Sequence, residues 1–268
     1  MNRTHITQRD DSYAARRIRR APRGLTLVEL VVVLTILVAL SGLIVPLVSG
    51  LGHQTNAATN ATVADDVARA VRAFEGRYDK YPDNWDSLLL TTGSLHDKLN
   101  PLLTPLLAAA PPLTEAQLRS LNDVGVANVF DATAATMPTS ASHTQRRALA
   151  VGGNVATLAK TTTPVDALLF NAFGIAPTPG TDYDNQFIVL GLGMSASVRG
   201  TTIADSPIVQ SSDPLNYYPR MLCVFMIPPT SAAAADGFPA KFLGCLLPDG
   251  SSRTENVENY NNSRSTLN

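Results

Sequence analysis

Glu29 is a lone carboxylate set against a long apolar run, since Leu30 to Gly52 is 23 residues without a charge. An ionised carboxylate at the edge of such a run needs a cation or hydrogen-bond donors, which makes it a candidate functional residue. The plainer reading places it at headgroup level or at a helix N-terminus, where the helix dipole favours it. Cys223 and Cys245 are the only two cysteines. They lie in two apolar runs, Arg220 to Ile227 and Lys241 to Leu247, that can pair as a hairpin. A symmetric register sets Cys223 opposite Cys245, with Phe225 facing Leu243 and Ile227 facing Lys241. Such a pair forms a disulfide if its alpha carbons come within about 7 Å and the side chains aim correctly; otherwise it leaves two buried thiols in a core hairpin. Asp182, Asp184 and Asn185 offer oxygen ligands of the kind calcium takes, and equally the side chains of an ordinary turn.

Other chemistry is argued against by spacing. His5, His53, His96 and His143 are scattered and fit neither a helical zinc-protease motif nor a Cys-His zinc site. Gly191-Leu192-Gly193-Met194-Ser195-Ala196 fits the dinucleotide fingerprint, with Asp213 about twenty residues on. Gly200 and Pro207 leave little room for the helix that would hold a pyrophosphate, so a glycine-rich strand and turn is the better reading. Neither a phosphate-binding loop with Gly-Lys-Ser or Gly-Lys-Thr nor a Gly-x-Ser-x-Gly elbow is present. No enzyme and, calcium aside, no cofactor is expected.

These residues must be positioned by a few elements. The 23 apolar residues after Glu29, at about 1.5 Å each, would cross a hydrocarbon core of roughly 30 Å as a helix. Ahead of them, residues 1–24 carry seven arginines against Asp10 and Asp11. By the positive-inside tendency this flank stays cytoplasmic and the rest lies across the membrane. Ala57, Ala61, Ala64, Val67, Ala68, Val71, Phe74 and Tyr78 then recur at three- and four-residue spacing, which predicts a continued amphipathic helix to about Asp79. Tyr81-Pro82 ends it. Such a helix would be roughly 80 Å long, kinked near Pro46 and weakened by Gly42, Gly50 and Gly52.

Residues 80–268 are enough for one domain, and 18 prolines in the chain make it loop-rich. Asp83 to Leu90 reads as a short capped helix stopped by Gly93. Thr114 and Gln117 form a capping box for a helix to about Leu121. Between Asp131 and Thr163 an extended loop or weak strands are expected. Gln186 to Leu192, Ile203 to Gln210, Arg220 to Ile227 and Lys241 to Leu247 read as strands of an antiparallel sheet. After residue 24 the chain has 14 basic and 20 acidic residues, so no bulk attraction to nucleic acid is expected.

Gly24-Leu25-Thr26-Leu27-Val28-Glu29-Leu30, between the basic leader and the apolar run, resembles the cleavage and methylation motif of type IV pilins and type II secretion pseudopilins. The resemblance implies cleavage between Gly24 and Leu25 by a prepilin peptidase, and N-methylation of Leu25. Glu29 becomes the fifth mature residue and Pro46 the twenty-second, where this family carries an assembly glutamate and a helix-kinking proline. Leu25 stands where the family usually has phenylalanine. A secretory signal peptide cut near Ala39-Leu40-Ser41 is the rival reading, but it leaves Glu29 inside the apolar region.

The implied fold is α+β: a leader at 1–24, a long N-terminal helix at 25–79 whose first half is transmembrane, and a head at 80–268 in which that helix packs on a small antiparallel sheet. The implied function is that of a structural subunit, minor or lineage-specific, of a type II secretion pseudopilus or type IV pilus. Its implied partners are other pilin subunits, the peptidase, an inner-membrane assembly platform and membrane lipid. The implied location is the bacterial inner membrane, single pass, with the head in the periplasm or outside, as part of a periplasmic or surface filament. Two other classes are separable in principle. A membrane-anchored exported enzyme or binding domain needs a clustered constellation in the head, and a DNA-uptake pseudopilin needs a basic patch, of which Arg146-Arg147 is the only hint.

Overall fold

The computed structural model describes residues 26–109, 112–132, 145–159, 163–176, 186–210, 213–229 and 237–265. By contact density the chain divides into two units, 1–47 and 48–268. The first helix, α1 (Leu27–Tyr78), has residues in both. In the first unit its large apolar side chains from Leu27 to Ile44, where described, are between 48 % and 79 % exposed. The helical backbone runs unbroken past Pro46.

In the second unit α1 buries the stripe that its spacing predicts. Ala61, Ala64, Val67, Ala68 and Val71 are buried, while Asp66, Arg69, Arg72 and Arg77 are exposed. Ala70 is buried as well, and Tyr78 lies outside the stripe at 46 % exposure. The helix ends at Asp79, whose φ of 54° is left-handed.

The remaining elements are β1 (Trp85–Leu90), a 3-10 turn (Pro101–Leu103), β2 (Leu107–Ala109), α2 (Glu115–Asp123), β3 (Asn128–Ala132), β4 (Gln145–Ala148), β5 (Ala156–Leu158), α3 (Thr163–Phe173), β6 (Gln186–Gly191), β7 (Leu222–Ile227), β8 (Lys241–Leu246) and α4 (Arg253–Ser265). The eight strands form one mixed sheet. On one edge β6 pairs with β7 along six residues, and β7 pairs with β8. Its other edge is shared: β5 joins at Ile188 and β1 joins at Gly191. From β5 the sheet continues to β2, and from β1 to β3 and β4. The β1–β3 pair is parallel.

Both faces of the central strands are covered. Ile188, Leu190, Cys223, Phe225 and Ile227 point into one core with α1, Tyr81, Trp85 and Leu121 of α2. Their neighbours Phe187, Val189, Leu222 and Val224 point into the other, with Leu88, Leu103 and Leu169 of α3. A strand buried on both faces has no polar alternation, which is why these segments read as continuous apolar runs.

Several expectations are corrected here. The fold is α+β, but its sheet is neither small nor purely antiparallel. The transmembrane first half is also overturned: among the described residues, no helix is long and apolar enough to cross a membrane. Asp83 to Leu90 contains strand β1 rather than a capped helix. Asn84 sits at φ 64°, which breaks helical propagation, and the Asp83 carboxylate accepts from the backbone of Ala127 and Asn128 at 2.9 and 2.7 Å instead of from its own next turn. Ile203 to Gln210 is not a regular strand: it is bends and irregular backbone with isolated bridges from Ile203 to Arg199 and from Ile208 to Arg220. Helix α2, by contrast, has the predicted capping box of Thr114 and Gln117.

Candidate functional site

At the start of α1, Thr26 and Glu29 hold one another. The Thr26 backbone N–H and hydroxyl donate to the Glu29 carboxylate at 2.8 and 2.9 Å, and the Glu29 N–H donates back to the Thr26 hydroxyl at 3.2 Å. This is a capping box, satisfying two backbone donors that a helix start leaves free. Those hydrogen bonds, the backbone one first, hold the Glu29 carboxyl below the usual carboxylate range. The Thr-x-x-Glu signature was legible at Thr26, though the sequence reading gave it only to Thr114. Gly24 and Leu25, the expected cleavage and methylation residues, lie outside the described residues. Pro46 is helical in backbone, and its side chain is likewise outside them.

Cys223 and Cys245 meet as the hairpin symmetry predicts, directly opposite in β7 and β8. The expected partners beyond them differ. Phe225 pairs with Phe242 and Met226 with Lys241, because a bulge between Val224 and Phe225 leaves Leu243 as an extra residue. Its carbonyl accepts from Arg72 of α1 at 3.2 Å. The two sulfurs are 3.3 Å apart and both thiols are free.

Asp182, Asp184 and Asn185 lie outside the described residues. Among the described residues no group of three or more His, Cys, Asp or Glu could hold a metal ion. Of the histidines, His96 is buried and its Nδ1 accepts from the Lys98 N–H at 2.9 Å. His5, His143 and the side chain of His53 lie outside the described residues.

The glycine-rich segment after β6 continues into a turn, as read from Gly200 and Pro207, and the structure supplies a reason for its glycines. A Cβ on Gly191 would come 2.1 Å from the Tyr218 hydroxyl, and one on Gly193 would come 1.8 Å from a carboxylate oxygen of Asp86. Backbone and side chains are that close because a buried polar cluster sits here. Tyr218 donates to Asp86 at 2.8 Å, and Arg220 donates to the Ser206 carbonyl at 2.9 Å. Burial, and then the Asp86 charge, push the Tyr218 phenol well up. The sequence reading missed this cluster; its signal was an aspartate inside the apolar run Trp85 to Leu90.

Arg146 and Arg147 are engaged within the fold. Arg147 makes a two-pronged pair with the buried Asp131 at 2.7 and 3.1 Å, and Arg146 donates to the Asn84 side chain at 3.0 Å. Arg146 is otherwise exposed, its guanidinium 4.0 Å from the Asp83 carboxylate. No known family model, characterised protein or solved structure is detectably similar to the chain.

Proposed function

We propose that the chain is a structural subunit of a filament of the pilus or pseudopilus type, released from its leader between Gly24 and Leu25 and assembled by packing α1 against α1 of further copies. The observation that carries this reading is the exposed apolar surface from Leu27 to Ile44, in a chain whose head has buried a core of its own. Apolar surface of that extent is not left in water; on the order of 25 cal/mol is gained per Å² covered. Sister helices are suited to cover it, because the surface continues around the helix rather than forming one stripe.

The helix starts two residues after Leu25, with Glu29 turned onto its own first turn. After cleavage, the free amine of a neighbouring subunit would offer the same carboxylate a cation, and the Thr26 donors would then be exchanged for an intersubunit pair. The role is mechanical rather than catalytic. Whether such a filament serves secretion, adhesion or motility is a matter of its partners.

The test is Glu29→Ala in cells that hold a prepilin peptidase. Intact mass should give a chain beginning at Leu25, with or without a methyl group, for wild type and variant alike. Filament recovery and α1-to-α1 crosslinking should fall sharply in the variant while monomer levels hold. An uncut chain, a chain beginning at Gly42, or wild-type filament levels from the variant would overturn the reading.

A further inference from the structure

The two cysteines are not equivalent, and their surroundings give them different chemistry. Cys245 lines an open-sided hollow of about 160 Å³, together with Asp65, Arg72, Phe173, Gly244, Ser252 and Arg253. Cys223 lies behind it, fully buried, with its sulfur 3.3 Å from that of Cys245. The hollow has room for a molecule of a few heavy atoms with accompanying water. Gly244 keeps one wall thin, since a Cβ there would meet the Phe173 ring at 3.0 Å. Arg72 and Arg253 on its lining outnumber the Asp65 carboxylate there, which leaves the hollow net positive where an anion would be expelled.

We infer that this is a two-cysteine reaction site for a small hydroperoxide, in which Cys245 is the thiol attacked first and Cys223 the resolving thiol. Cys245 gives up its proton and its sulfur attacks one peroxide oxygen; the S–O bond forms, the O–O bond breaks, and the hydroxide or alkoxide that leaves takes up that proton as water or alcohol. Cys245 is then a sulfenic acid and the peroxide has been reduced. Cys223 gives up its proton and attacks the Cys245 sulfur, the S–O bond breaks, and the departing hydroxide takes that proton as water. The product is a cross-strand disulfide between β7 and β8. Burial, with the Cys245 contact adding to it, pushes the Cys223 thiol well up, which suits a residue that acts second and only against an adjacent sulfur. The site is independent of the filament reading.

The experiment uses the reduced full-length chain, hydrogen peroxide and a sulfenic-acid trap. In the native Cys223→Ser protein, which cannot close the disulfide, the trap should label Cys245. In native Cys245→Ser, labelling of Cys223 should be at least about tenfold slower, a difference abolished by denaturation. If either variant fails to fold, limiting peroxide on the wild-type chain gives the same information, because the early trapped adduct should map to the peptide holding Cys245. Wild-type protein should end with both thiols blocked until reduced. Equal or faster labelling of Cys223, or two free thiols after excess peroxide on folded wild type, would overturn the inference.

Discussion

In the first part of α1, Val31 and Leu34 are 51 % and 52 % exposed, whereas in its second part Val67 and Val71 are 2 % and 0 % exposed. Side-chain type alone does not account for the contrast. The second part alternates small apolar residues with charged ones, so one face fits closely on the sheet and the other takes water. The first part is apolar on all sides with branched and long side chains, which suits cover from several directions. Burial here reports which partner the chain carries within itself. The head's helix has one in β6, β7 and β8, whereas the exposed part has none among the described residues of its own unit.

Breaking this comparison takes paired substitutions. Trp85 is fully buried, edge-on to Phe225 at 5.4 Å between ring centres, and its indole N–H donates to the Pro82 carbonyl at 2.6 Å. Trp85→Ala should cost about 3–5 kcal/mol in denaturant unfolding of the head. Leu34→Ala should change that transition by less than about 0.5 kcal/mol. A head destabilised by Leu34→Ala as much as by Trp85→Ala would dissolve the distinction between the two parts.

A glycine pair sharpens it. Gly193→Ala forces a methyl into the Asp86 carboxylate, which Tyr218 already holds, and should cost about 1–3 kcal/mol. Gly42→Ala meets nothing within 4 Å. It should raise helicity locally, by up to about 1 kcal/mol of propensity, and leave head stability alone. Circular dichroism with denaturant melts distinguishes the two outcomes.

Legibility followed the same divide. Strands β6, β7 and β8 could be read because each is an apolar run bounded by turn residues, and α2 because its cap is local. β1 was misread because Asp83 does act as a cap, but for the backbone of Ala127 and Asn128, more than forty residues away. Its parallel partner β3 could not be found from adjacency for the same reason. Helix α3 announced itself only through Thr163-Pro164, and α4 is so polar that no apolar rhythm marks it. At the candidate site, Glu29 and the facing cysteines were visible, while the bulge at Leu243 depended on Arg72 arriving from another element.

The smallest expected effect concerns the start of α1. Hydrogen bonds from Thr26 depress the Glu29 pKa in the folded helix below the ordinary value of 4.5. The cap is therefore fully present above that value and is lost as pH falls through the lower folded-state one. Amide exchange in the first turn should quicken over that acid range relative to the intrinsic rate, and Thr26→Ala should quicken it at neutral pH as well, by a few-fold. A first turn insensitive to both would leave Glu29 free of its cap and available from the outset.

Arg72 and Leu243 are joined by a hydrogen bond across 171 residues of sequence. At the ribosome, that interval corresponds to about 9–34 seconds of synthesis at the usual 5–20 residues per second. For about two thirds of it the alanine and valine stripe of α1 has been made while none of β6, β7 and β8 has, and the set is complete only at its end. A nascent chain of this protein must keep that stripe from finding the same stripe on the next polysome, so slowing elongation late in the message should raise aggregation more than slowing it early.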